Sequence, residues 1–142
     1  MNGHSQTVAI QDKEYLFDHL EDKYFYKITV KIESRYLLDT YYFMFGRAQR
    51  GFFAFGQDKK INIETRDTIR SRYPRTLLQD TQIDSLKMFE QKVIIKNNTQ
   101  ADLPKVTITL SNQDKNHSYT VTQSDEWNPL TELIMILFRE IR

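Results

Sequence analysis

The sequence contains no cysteine, and glycine and proline are scarce, with four and three residues among 142. The missing cysteine excludes disulfide bonds and thiolate metal sites, and it agrees with a reducing compartment. The scarcity of glycine and proline disfavours a linker-rich or disordered chain. A chain of this length can bury a sizeable core in one domain. We therefore expect a single domain over residues 1–142, with residues 1–10 either disordered or forming a short leading strand.

Long apolar runs and targeting signals are also missing. The longest apolar run covers residues 133–138, whereas a membrane-spanning helix needs roughly 20 apolar residues. The first residues do not carry a basic stretch followed by an apolar run, so they are not a signal peptide. We expect a cytoplasmic protein with no membrane segment.

Charge is unevenly distributed, although the net charge is only +1. Residues 1–46 carry five Lys or Arg against seven Asp or Glu, and residues 76–142 carry seven against nine. Residues 47–75 carry eight basic residues against three acidic ones. A site for an anionic partner is therefore expected in this middle segment.

The most unusual stretch lies between residues 41 and 55, where eight side chains are aromatic or carry sulfur. So much apolar surface must fill a core, be covered by a partner, or act as a stacking platform. Arg50-Gly51-Phe52 begins like the signature of RNA-recognition domains, but Phe53 and Ala54 depart from it. Consecutive predicted strands also replace the helix that such domains have between their first two strands. We expect a buried aromatic strand after a tight turn.

Periodicity in the first half predicts one helix followed by several strands. Leu16, Leu20 and Tyr24 recur every fourth residue, opposite an acidic stripe, which is typical of an amphipathic helix over residues 12–25. Residues 25–33 alternate between apolar and polar side chains, as a half-buried strand does. The next strands are predicted at residues 39–46, 51–57 and 60–66.

The second half is predicted to contain a helix, a hairpin and a final helix. Pro74 indicates a break, so a short helix is expected near residues 76–90, running into an extended segment at residues 93–95. Alternating threonines predict a hairpin over residues 106–122. Asn128 and Pro129 are a cap and a first helical residue for the last helix, which is apolar on most sides.

Together these patterns predict an α+β domain. Its antiparallel sheet would have five to six strands, with an N-terminal helix and a C-terminal amphipathic helix packed on it. Trp127 is expected to pack on the first turn of the last helix, or else to be an exposed anchor for a partner. The apolar last helix is expected to be covered by a second element or to form a homodimer surface.

No catalytic or cofactor motif is present. The histidines, His4, His19 and His117, share no spacing that would hold a metal. We therefore expect no metal, no cofactor and no catalytic residues. An active site assembled from scattered residues, with a pocket lined by Tyr41, Tyr42 and the phenylalanines, is kept as an alternative, as is an assembly subunit.

The leading hypothesis is a small non-catalytic protein that binds one macromolecule. Its most concrete form is an intracellular inhibitor or immunity-type protein that blocks a toxin or enzyme by steric occlusion. For an acidic partner surface, the predicted contacts are Arg47, Arg50, Arg66, Arg70, Arg72 and Tyr73, in a region that Lys59, Lys60 and Arg75 make still more basic. For a basic partner surface, the predicted contacts are Glu14, Asp18, Glu21 and Asp22. The alternative is a nucleic-acid-binding module that uses residues 47–75.

Overall fold

The computed structural model describes residues 15–49, 51–98, 104–122 and 126–138. These residues form one six-stranded antiparallel sheet and two α-helices. The strands are β1 (Tyr26–Glu33), β2 (Leu37–Ala48), β3 (Gly51–Asn62), β4 (Thr68–Leu77), β5 (Lys105–Ser111) and β6 (Asn116–Thr122), and the helices are α1 (Asp80–Ile95) and α2 (Pro129–Phe138). The strand order is β4-β3-β2-β1-β5-β6, so the first four strands form a meander and β5 pairs with the free side of β1. The predicted α+β class with an antiparallel sheet is confirmed.

Alternation of side chains along the strands gives the sheet two different faces. In β1, Tyr26, Ile28 and Val30 are buried, whereas Lys27 and Lys31, at positions that alternate with them, are exposed. Residues that pair across neighbouring strands share a face, so the register extends this division over the whole sheet. We call the face of Tyr26, Ile28 and Val30 the covered face and the face of Lys27 and Lys31 the open face.

Both helices belong to the core that lies on the covered face. Helix α1 contributes Leu86, Phe89 and Val93, and α2 contributes Leu133 and Leu137, each at most 1% exposed. These side chains recur at helical spacing, which is why one stripe of each helix can be buried.

Helix α1 also covers part of the apolar circumference of α2. The side-chain amide of Gln82 donates to the carbonyl of Ile136 at 2.9 Å. The Lys92 ammonium lies 3.0 Å from the Glu132 carboxylate. Met135 of α2 remains 48% exposed. A homodimer through this helix stays a prediction.

The start of α2 follows the sequence prediction. The Asn128 side chain accepts a hydrogen bond from the Thr131 N–H at 3.1 Å, and Pro129 is the first helical residue. The indole N–H of Trp127 donates to the Glu132 carboxylate at 2.6 Å. Trp127 is only 8% exposed and packs on Phe89, so it is a core residue rather than an exposed anchor.

The helix predicted at residues 12–25 is wrong within the described residues. A single 3-10 turn covers Leu16–His19, and the chain then leads into β1. Leu16 and Phe17 in this turn are both buried. The Leu16 N–H also donates to the buried Glu90 carboxylate at 3.1 Å, so long-range contacts determine this segment. The first three residues of the predicted helix, including the cap Asp12, lie outside the described residues.

The strand predicted at residues 60–66 and the helix predicted near residues 76–90 are also corrected. Strand β3 continues to Asn62, whose side chain accepts hydrogen bonds from the N–H groups of Glu64 and Thr65 and so forms the turn before β4. Pro74 lies inside β4 rather than at a helix boundary. Helix α1 extends through residues 93–95, which the sequence predicts to be extended.

Among the described residues, no helix is long and apolar enough to cross a membrane.

Candidate binding face of the sheet

The open face is strongly basic. Its described cationic side chains are Lys27, Lys31, Lys59, Arg70, Arg72, Arg75 and Lys105. Among the described strand residues, Glu33 is the only acidic side chain on this face. Most other positions carry hydroxyl or aromatic groups. Such a surface attracts anions over a distance of about one Debye length, which is roughly 10 Å at 0.1 M salt.

Three of these cations form a row that runs across the strands, and we call Arg70, Lys59 and Lys31 the cationic row. Arg70 pairs with Lys59, Lys59 with Thr40, and Thr40 with Lys31. Neighbouring strands lie about 4.8 Å apart, so the row spans about 14 Å. The sheet therefore holds positive charges at a fixed spacing.

Lys59 and Arg70 oppose each other directly, an arrangement that destabilises a sheet. None of the ion pairs between described side chains includes a member of the cationic row. The repulsion within this row is therefore not compensated by those pairs. An anionic partner would compensate it.

A bulge in β4 makes a pocket at one end of the cationic row. Ala54 pairs with Thr76 and Gly56 with Tyr73, so Phe55 alone faces the two residues 74–75. Proline has no N–H for the ladder and is tolerated at such a bulge. The extra residue brings Arg75 to the open face, where its guanidinium lies 3.8 Å from the centre of the Phe53 ring.

This pocket has a volume of about 430 Å³, and we call it the bulge pocket. Its walls are apolar or aromatic, and its rim carries two guanidinium groups. Its lining residues are Tyr42, Met44, Phe53, Phe55, Gly56, Gln57, Arg72, Tyr73, Pro74 and Arg75. They include no carboxylate and no imidazole, so the pocket suits the binding of an anion with an apolar part better than proton transfer.

The aromatic stretch identified in the sequence is thus shared between the two faces. Tyr41, Phe43 and Phe45 are at most 6% exposed on the covered face. Phe53 and Phe55 are partly exposed on the open face, where their rings lie 6.1 Å apart and nearly parallel. The buried aromatic strand was expected at residues 50–55, so the expectation is wrong for Phe53 and Phe55 of β3.

The predicted arginine contacts are divided by the structure. Arg70 and Arg72 lie on the open face, two residues apart along β4. Arg66 lies in the exposed turn before β4, where its φ is positive at 68°. Arg66 and Arg70 therefore do not share the face of a helix. Arg50 lies outside the described residues.

Arg47 lies on the covered side. Its guanidinium donates twice to the carbonyl of Leu20, at 3.1 and 2.9 Å, and lies over the Phe52 ring at 5.1 Å. It also lies 3.4 Å from Asp22. Arg47 thus ties the segment before β1 to the end of β2.

Tyr73 lines the bulge pocket, but its side chain belongs to the covered face. Its hydroxyl donates to Asp58 at 3.3 Å, and its ring stacks on Phe138 at 5.1 Å. Burial, followed by the neighbouring Asp58 charge, raises the pKa of Tyr73 to about 12. It therefore stays protonated and acts as a hydrogen-bond donor.

The predicted acidic contacts do not share a helical face, because the helix is absent. Asp18 forms an ion pair with Lys87 at 2.6 Å, and Asp22 with Arg47 at 3.4 Å. Glu21 is exposed, and Glu14 lies outside the described residues. Two of the four acidic side chains therefore have cationic partners within the chain.

The contacts predicted from the sequence do not include Lys27 and Lys31, although their period-two spacing places both on one face of β1. Alternation alone assigns that face to solvent, because it does not show which cations the neighbouring strands add. The bulge pocket leaves no comparable signal in the sequence, since Pro74 by itself indicates a break between elements.

Among the described residues, no three His, Asp or Glu side chains lie close enough together to hold a metal ion. Compared with models of known families and with curated proteins, the chain matches none.

Proposed function

We propose that this protein is a non-catalytic binding protein that holds one macromolecular partner against the open face of its sheet. The observation that carries the proposal is the uncompensated basic charge of this face. Among the described strand residues of the open face, cations outnumber the single carboxylate of Glu33, and the like-charged pair Lys59–Arg70 is kept at a cost in stability. A partner with an acidic surface would remove that cost on binding.

In its most concrete form, the protein is an intracellular inhibitor or immunity-type protein whose target is a toxin or enzyme. The open face would block the target sterically. The positive field would raise the association rate more than the final affinity, because long-range charge acts on diffusional encounter. The bulge pocket would supply the apolar contacts on which affinity depends.

The test is a pull-down that compares two triple variants of equal charge change. One carries Lys59→Glu, Arg70→Glu and Arg72→Glu on the open face. The matched control carries charge reversals at three exposed cations away from this face, namely Arg35, Lys96 and Lys115. Nuclease treatment removes partners that are bridged by nucleic acid.

We expect one near-stoichiometric protein to bind the wild type and the control but not the open-face variant. The purified target should lose its activity when the wild type is added in equal amount. Capture of the same protein by the open-face variant would refute the proposed surface.

Nucleic acid is the second candidate partner, and a specific observation favours it. Tyr42, Phe53 and Phe55 line the bulge pocket together with Arg72 and Arg75, so phosphates and bases could be contacted together. This version predicts binding of a labelled single-stranded oligonucleotide that weakens steeply with salt, with a log–log slope of about −0.7 per phosphate contact. Neutralising Arg66, Arg70 and Arg72 should abolish that binding without unfolding the protein, and unchanged binding would exclude it.

A further inference from the structure

The bulge pocket combines features that select the chemistry of what enters it. Its volume of about 430 Å³ lies within the range of roughly 300–1,000 Å³ that is usual for ligand sites. Met44, Phe53 and Phe55 are partly exposed in its walls, and Tyr42 is 39% exposed beside them. An aromatic ring would gain contacts with the rings and with the polarizable methionine sulfur.

The rim adds a requirement for negative charge. Arg72 and Arg75 are both exposed, and neither takes part in an ion pair between described side chains. The Arg75 guanidinium carbon lies 3.8 Å from the centre of the Phe53 ring, and a guanidinium held over a ring can still donate from its N–H groups to carboxylate oxygens. The bulge places Arg75 on the same face of the sheet as Arg72, and both residues line the pocket.

We propose that the bulge pocket is the anchor site for a segment of the protein partner in which an aromatic side chain is flanked by acidic residues. The ring would enter the pocket and pack against Met44 and Phe55, and the carboxylates would pair with Arg72 and Arg75. This inference rests on the proposed function, because it identifies which part of an acidic partner is held most tightly.

The chain offers an internal reporter for this proposal. Met44 lines the bulge pocket, whereas Met88 and Met135 lie on the two helices, where they are 67% and 48% exposed. Of the four methionine methyl NMR signals, that of Met44 therefore reports on the pocket and those of Met88 and Met135 serve as controls, while Met1 lies outside the described residues. The probes are three blocked tripeptides: Glu-Phe-Glu, Gln-Phe-Gln and Glu-Ala-Glu.

We expect Glu-Phe-Glu to shift the Met44 signal in the millimolar range and to leave Met88 and Met135 unchanged. Gln-Phe-Gln lacks the carboxylate side chains and Glu-Ala-Glu lacks the aromatic ring, so each should bind roughly tenfold more weakly. Arg72→Gln should reduce binding of Glu-Phe-Glu part of the way to the level of Gln-Phe-Gln, because Arg75 remains to pair with one carboxylate. Phe55→Leu should weaken every peptide that contains phenylalanine.

Three results would overturn the proposal. One is an unchanged Met44 signal at saturating Glu-Phe-Glu, and another is equal binding of all three peptides. The third is a Met44 shift caused by oligothymidylate but not by the peptides, which would assign the pocket to nucleic acid. Arg72 is exposed, so its variant should fold, and an unchanged amide NMR spectrum would verify this.

Failure of this inference can be separated from failure of the proposed function. If the captured target is lost by the open-face triple variant but binds Phe55→Leu as tightly as wild type, the open face is the interface and the pocket is not its anchor. If the triple variant keeps the target, the proposed surface itself is wrong.

Discussion

The repulsion between Lys59 and Arg70 can be measured directly. The two residues oppose each other across β3 and β4 on the open face. Two unit charges about 6 Å apart in bulk water repel by about 0.7 kcal/mol, and like charges directly opposite in a sheet destabilise it by roughly 0.2–1 kcal/mol. Because Arg70 is exposed and can turn its charge towards water, we expect about 0.5 kcal/mol.

The perturbation is a double-mutant cycle that consists of Lys59→Thr, Arg70→Thr and the double variant. Removing either charge should relieve the whole repulsion, so the second substitution should add nothing from this source. Threonine has a higher strand propensity than lysine or arginine. This effect is the same whether or not the second residue is substituted, so it cancels in the cycle. Free energies of unfolding from urea denaturation at low salt would give the coupling.

The coupling should be repulsive by about 0.5 kcal/mol at low salt and should shrink towards zero near 1 M salt, where the Debye length is about 3 Å. A control cycle on Lys31 and Lys59, which are separated by β2, should give a smaller value. Zero or attractive coupling between Lys59 and Arg70 at low salt would refute the reasoning that this face is held under charge repulsion.

Three further predictions concern the covered side of the molecule. Burial raises the pKa of Glu90, and the hydrogen bonds to its carboxylate oppose this only partly. The contribution of Glu90 to stability is therefore greatest below about pH 4 and is lost as pH rises through its folded pKa. Glu90→Gln should remove this part of the pH dependence of the unfolding free energy, and an unchanged pH dependence would contradict the assignment. Gly56→Ala should cost about 1–3 kcal/mol, because the new Cβ would lie 2.7 Å from a backbone oxygen, whereas Gln57→Ala on the open face should be nearly neutral in the same urea titration. Arg47→Ala should lose the two hydrogen bonds to Leu20 and destabilise the fold by about 1–3 kcal/mol. The folded variant should still bind the partner in the pull-down, and loss of the partner would show that Arg47 is a contact.

The elements that the sequence predicted well are those whose signal is local. Period-two alternation identified β1, and the threonine-rich hairpin corresponds to β5 and β6. Asn128 and Pro129 marked the start of α2, because a cap and a first-turn proline act within a few residues. The alternation in β1 is also sufficient to place Lys27 and Lys31 on one face, since it depends only on neighbours along the chain.

The failures occurred where distant contacts override local preference. Strand β4 is an edge strand with mostly exposed side chains, so its sequence lacks alternation and its conformation comes from pairing with β3. The β-branched residues 93–95 are helical because Val93 packs into the core with Leu86 and Phe89. The spacing of Leu16 and Leu20 suggested a helix, but both residues are buried around a 3-10 turn that Glu90 holds.

The candidate site shows the same division. The sequence by itself determined that residues 47–75 are basic and aromatic, and that polar side chains alternate along β1. Only the tertiary structure decided that Arg47 is used internally, that Lys31, Lys59 and Arg70 form a row, and that the β4 bulge adds Arg75 beside Arg72. The physical reason is that composition is a property of the chain, whereas the face on which a charge lies depends on strand register. One extra residue in a bulge moves the side chains that follow it to the opposite face of the sheet.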